Sequence, residues 1–109
     1  MTTVYKVLGQ STPSANTVTT IYTVPSANSA VVSTMAICNQ SGANANIGIA
    51  VCPGNTSVTT SQYIVNGATI VANDTVFLTL GVTLATTDTI RVSSTAANVS
   101  FNAFGSEIY

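Results

Sequence analysis

Charge is what this chain has least of. Lys and Arg together number 2, Asp and Glu 3, and there is no histidine among 109 residues. The charged fraction is 5 %, against about 25 % in ordinary soluble domains. Without histidine, neither a Ser-His-Asp nor a Cys-His nucleophile can be assembled. Two cations cannot form the basic face that neutralises nucleic-acid phosphates, nor a patch that holds an anionic membrane. No apolar run reaches the ~20 residues of a membrane helix. There is no Trp, with only 4 Tyr and 3 Phe, so the core must rest on many small contacts rather than a few large rings. The opening Met1-Thr2-Thr3-Val4-Tyr5-Lys6 lacks a cationic stretch followed by an apolar one, which is the form of a secretory signal. Folding in a cytoplasm is therefore expected, with Cys38 and Cys52 as reduced thiols.

What is present is a 46 % hydrophobic chain, well outside the disordered regime. Its length fits one domain over residues 1–109 with a modest core. Val, Ile, Thr, Tyr and Phe favour strands, no stretch carries a helical period, and turn signals recur every ~8–14 residues. The pattern predicts strands over 3–8, 17–24, 30–38, 45–52, 75–80, 88–94 and 98–104. It also predicts a hairpin over 63–71 with Asn66-Gly67 at its tip, since a type I′ turn needs positive φ at both central residues. In the strand over 45–52, Ile47, Ile49 and Val51 share one face. Gly48, Ala50 and Cys52 share the other, leaving room there for close packing. Val76, Leu78 and Leu80 oppose Phe77, and Val99, Phe101 and Ala103 oppose Phe104. The fold class is all-β: an antiparallel β-sandwich, jelly-roll-like or Ig-like, of about eight or nine short strands. Pro13-Ser14-Ala15-Asn16 recurs as Pro25-Ser26-Ala27-Asn28, and Asn73-Asp74-Thr75-Val76 is echoed by Thr87-Asp88-Thr89-Ile90. These are repeated turn chemistry, too few for a solenoid.

The chemistry-bearing residues read as structural. Lys6 is the only lysine and reads as a solvated edge-strand residue that discourages pairing. Asp74 and Asp88 precede Thr at strand starts, where Asp accepts from nearby backbone N–H groups. With Glu107 they supply neither a Ca²⁺ loop nor a convincing glycosidase pair. In a hairpin centred near residues 41–43, Cys38 would lie near the turn and Cys52 far from it. That separation exceeds the ~5.5–6 Å Cα spacing of a disulfide, so two buried, inert thiols are expected. The Asn-X-Ser/Thr sequons at Asn39, Asn55, Asn73 and Asn98 carry no weight without a secretory signal. No catalytic, cofactor or metal site is expected, and no enzyme. Large groups crowd the end of the chain. Tyr5, Phe104, Ile108 and Tyr109 are the expected anchors into a neighbouring subunit, since aromatics are common interface anchors. Tyr22 is a weaker one.

Several segments in order resemble a family of small virion structural proteins of tailed bacteriophages, especially those infecting cyanobacteria and marine bacteria. They are Tyr5-Lys6-Val7-Leu8-Gly9-Gln10, Ile21-Tyr22-Thr23-Val24-Pro25, Cys38-Asn39, Asn73-Asp74-Thr75-Val76, Leu78-Thr79-Leu80-Gly81-Val82-Thr83-Leu84, Thr87-Asp88, Val99-Ser100-Phe101 and Phe104-Gly105-Ser106-Glu107. The resemblance implies a part of the particle, made in the host cytoplasm. The role expected is a capsid decoration (cement) protein bound to the major capsid protein or other virion proteins. A homo-oligomer is expected, and a trimer suits a threefold shell site. No nucleic-acid or membrane partner is implied. The alternative is a tail, neck or fibre component or a glycan-binding adhesin module. A third reading, an ice-binding surface, is suggested by Thr-X-Thr at 17–19 and 87–89, but regular ranks of Thr are missing.

Overall fold

In the computed structural model, which describes residues 1–109, the chain forms eight strands. They are β1 (Thr3–Ser11), β2 (Thr19–Thr23), β3 (Ser29–Asn39), β4 (Ala45–Cys52), β5 (Tyr63–Ile70), β6 (Thr75–Leu84), β7 (Thr89–Ser94) and β8 (Val99–Ile108). Two four-stranded antiparallel sheets result. The front sheet has the order β1-β8-β3-β6 and the back sheet β2-β7-β4-β5. Every connection crosses between sheets except β4 to β5, which stays in the back sheet. This order is a jelly roll, the eight-stranded double Greek key, and not the Ig arrangement. No helix is long and apolar enough to cross a membrane; two single 3-10 turns, Pro53–Asn55 and Thr60–Gln62, are the only helical pieces.

The core forms because alternate residues of both sheets point inward. A cluster of 18 buried side chains fills the gap, with Met35, Ile37, Ile49, Ile90 and Phe101 fully enclosed. Phe101 is the one phenylalanine in it, and truncation to Ala would cost about 3–5 kcal/mol. Asn39 is fully buried and fully bonded. Its amide donates to the carbonyls of Ala43 and Ile70, and its Oδ1 accepts from Ser41 N and Oγ. That clamp ties the end of β3 to β5 and leaves the sequon at Asn39 unreachable in the folded chain.

A line of register shifts crosses the front sheet at Leu8 in β1, Ser33 in β3 and Leu80-Gly81 in β6. Such bulges sharpen the local twist. Gly105 lies beside the line because any Cβ there would overlap the Val31 carbonyl; one at Gly9 would overlap that of Ile21.

Three expectations need correction. Residues 63–71 do not form a hairpin: β5 runs straight through Asn66-Gly67. Gly67 alone takes the positive φ, +82°, and absorbs it as a bulge against β4 between the pairs Asn66↔Gly48 and Ala68↔Ile47. β3 and β4 do not pair either, since they belong to opposite sheets. Finally, the strands expected to stop at residues 8, 80 and 104 continue to 11, 84 and 108, because their glycines sit within the ladders instead of ending them.

Candidate interaction face

The outer side of the front sheet is built by the same alternation that fills the core. Register places Val7, Phe104, Thr34 and Thr79 in one row across the four strands, and Gln10, Asn102, Ala36 and Phe77 in the next. Gln10 donates to Asn102 Oδ1 at 2.7 Å, which fixes their common side. Tyr5 and Ser106 begin the row on the other flank. Tyr5 is 84 % exposed and Phe77 69 %, while Phe104 and Ile108 are half-buried between neighbours. No charged side chain projects from this face. It joins aromatic and aliphatic groups to hydroxyls and amides, and no chain segment lies over it.

The back sheet is different. The loop over residues 53–62, joining β4 to β5, folds across its outer side. Arg91 donates to Asn55 Oδ1 at 2.7 Å, and Gly54 N donates to Asp88 Oδ1 at 2.8 Å. Gln62 holds the loop through Thr59 N and Thr56 Oγ1. Ala50 and Cys52 are buried as a result, although they face away from the core cluster. The small-residue face foreseen in β4 is thus the seat of this loop.

Of the expected anchors, the structure brings Tyr5, Phe104 and Ile108 onto the front face. Tyr109 lies just beyond the sheet, about half exposed. Its N–H donates to Thr2 O at 2.9 Å, and Tyr109 O accepts from Thr2 N, so the two ends of the chain hold each other. Phe77 and Val7 were missed as face residues. The signal for Phe77 was present, since alternation sets it against Val76, Leu78 and Leu80.

The expected titratable roles divide. Asp74 accepts from Thr75 N, and Asp88 accepts from Ala85 N as well as Gly54 N, as their turn positions require. Lys6 is not simply solvated: its Nζ reaches inward to Glu107 Oε1 at 3.1 Å. Tyr22, offered as a weak interface anchor, is instead buried, and its hydroxyl donates to Glu107 Oε2 at 2.6 Å. The Tyr22 hydroxyl, with help from Lys6, holds the Glu107 carboxyl below its ordinary range against the opposing effect of burial. Burial, reinforced by Glu107, pushes the Tyr22 phenol well above its ordinary value. Both cysteines are free; Cys52 is buried but Cys38 only half-buried, on the front face. No three His, Cys, Asp or Glu side chains converge.

In fold the chain is similar to viral proteins. A chain from a structure of infectious bursal disease virus, Gx strain, superposes with TM-score 0.55 at 9 % identity, over 97 % of this chain and 32 % of the viral one. A chain from the crystal structure of the T13 IBDV viral particle superposes with TM-score 0.54 at 10 % identity, over 97 % and 29 %. The likeness is one of fold, and this chain spans less than a third of the viral chains. No family model and no curated protein sequence matches.

Proposed function

We propose that the protein is a non-enzymatic structural component of a tailed-phage virion, a decoration (cement) protein that docks on the capsid shell. The observation that carries this reading is the front face: uncharged, studded with Tyr5, Phe77, Phe104 and Ile108, and uncovered although the opposite side has its own loop. Exposed aromatic groups set among uncharged polar ones, with charge depleted, are the composition of protein contacts. Four strands at ~4.8 Å spacing and about eight residues of length present roughly 500 Å² in projection. A stable contact covers about 800 Å² per partner, so the face supplies most of one and the flanking turns the rest. The fold likeness to chains of a viral particle and the resemblance to small phage virion proteins both favour a place in a virion, and the broad uncharged face favours the shell within it. Repeated modest contacts on a fixed lattice add through avidity. Because the subunit binds the assembled shell and not the dispersed one, it stabilises the shell by mass action. A trimer on a threefold site is the arrangement we infer. The second reading is a tail, neck or fibre component or an adhesin module, and an uncharged trough on the back sheet, lined by Asn16, Asn46, Asn66 and Tyr63, favours its glycan-binding form.

Cryo-electron microscopy of intact particles is the test. The expected result is density for the sandwich at regular lattice points, front sheet inward, with Phe77→Asp particles losing that density and part of their heat resistance. Density only at the tail or a fibre, or a shell contact made through the back sheet, would sink the decoration reading.

A further inference from the structure

A trough of about 220 Å³ opens on the back sheet. It lies on the opposite side of the sandwich from the front face. Gly48 of β4 forms its floor, Tyr63 and Asn66 of β5 one wall, and Ser93 of β7 with Asn16 of the turn before β2 the other; Asn46 closes an end. A Cβ at Gly48 would fall 2.9 Å from Ser93 Oγ and 3.2 Å from Tyr63 Cε1, so glycine keeps the floor open beneath them. The bulge at Gly67 sets Asn66 directly opposite Gly48. The hydrogen bonds of this region run through Asn46, which accepts from Thr69 Oγ1 at 3.0 Å, and through Thr95 and Ser94. The Asn46 amide hydrogens and the side chains of Asn16, Asn66 and Ser93 remain for a ligand.

We propose that this trough binds a neutral sugar ring. Each carboxamide offers a donor beside an acceptor, the pairing that two adjacent sugar hydroxyls, each donor and acceptor, can satisfy. The trough has no cation for an anionic ligand and no carboxylate for a cationic one. Val18 and Tyr63 give the lining apolar surface, but a wholly apolar ligand would leave the amides and hydroxyls beside them without the partners that water supplies, which is the costly case; a sugar ring, with C–H faces and hydroxyl edges, meets both parts. The Tyr63 ring adds an apolar body for the C–H face of a sugar, with a polar tip. The inference stands on the trough alone and survives if the virion reading fails; because the two surfaces are on opposite sides, occupying one leaves the other free.

The test is amide NMR of the full chain, titrated with glucose, galactose, mannose and N-acetylglucosamine. Saturable shifts are expected for at least one sugar, confined to residues such as Asn46, Gly48, Asn66 and Gly67. Affinity should be millimolar for a single ring in so open a site. Asn66→Ala should weaken binding about tenfold, and Asn16→Gly, which preserves the positive φ of 57° at that position, should also weaken it. Both variants should unfold at the wild-type temperature. The proposal is overturned if no sugar gives saturable shifts at the trough, if both variants bind as wild type, or if a negatively charged sugar, sialic acid, binds more tightly than all four.

Discussion

Replacing Tyr22 by Phe tests the buried contact between the edges of the two sheets. The hydroxyl donates at 2.6 Å to a carboxylate that is itself only 6 % exposed. Phe fills the same ring volume, so no cavity term enters; the change removes one hydrogen bond to a charged group, worth about 1.5–3 kcal/mol. Lys6 cannot compensate, because its side chain is 45 % exposed and its pairing with Glu107 is partly screened. The expected loss is about 2 kcal/mol at pH 7, a fall of about 1 M in the urea midpoint at unchanged slope. The pH dependence identifies the mechanism. The folded Glu107 carboxyl titrates below its ordinary value. Its stabilisation is therefore complete above the ordinary carboxylate range, near pH 4.3, and is lost as pH falls through the lowered value. The variant, whose carboxyl is held down less, has less to lose, so the two proteins converge in stability as pH falls through the lowered value. At the other end, the folded Tyr22 phenol titrates above its ordinary value of 10.0. Wild-type stability is full below that value and falls as pH rises beyond it; the variant lacks this loss. A series of urea unfolding curves from pH 7 into the acid range, with one at pH 10.5, provides the measurement. A difference under about 0.5 kcal/mol at pH 7, or one that never shrinks as the Glu107 carboxyl is protonated, would refute the account.

Thr87 is a β-branched residue at φ 70°, where L-residues other than Gly pay about 1–2 kcal/mol; Thr87→Gly should raise stability by several tenths to 1 kcal/mol in the same unfolding assay, after the added chain entropy of Gly is offset. Gly105→Ala should destabilise by several kcal/mol, because its methyl group meets the Val31 carbonyl at the bulge line and not a movable side chain. In the native protein a thiol reagent should modify Cys38 and spare Cys52, and Cys38 should become protected on intact particles if the front face docks there. Particle binding should change little between low and high salt, since the face carries no charge for ions to screen; a steep salt dependence would move the contact elsewhere.

Where local pattern and tertiary pairing agree, the strands are legible from sequence. β4 was expected over 45–52 and spans Ala45–Cys52, while β3 differs from expectation by one residue at each end and β7 by one residue at its start. Alternation alone sorted Phe101 inward and Phe104 outward. Asn66-Gly67 shows the limit. Positive φ can be used by a two-residue turn or by a bulge, and the choice is made by β4, which offers one continuous partner to the whole of β5. The Pro-Ser-Ala-Asn echo shows another. The positive φ falls on Asn16 in one copy and on Ala27 in the other, so the same four residues enter their turns one position apart. The Lys6–Glu107–Tyr22 contact joins positions 101 and 85 residues apart; no local spacing announces it. Nor does any composition reveal that residues 53–62 cover one sheet and leave the other bare.

That asymmetry is explained by where the few charges lie. Lys6 pairs with Glu107 in the interior margin, Asp74 closes a turn, and Asp88 and Arg91 fasten the covering loop. All five are therefore engaged within the fold, and none is placed to repel a neighbour from the front sheet. A protein of net charge −1 keeps apart from its copies and partners by hydroxyls and amides alone, which is a weak barrier to association. An exposed Tyr5 and Phe77 on such a face are a liability in a free subunit and an asset in one held against a shell. The back sheet meets the same problem with its own chain: the loop buries Ala50 and Cys52, and what stays open beside it is an uncharged trough of amides, hydroxyls, Val18 and Tyr63. One side of the sandwich is thus covered by the chain itself; the other, on the proposed reading, is the side that a partner covers.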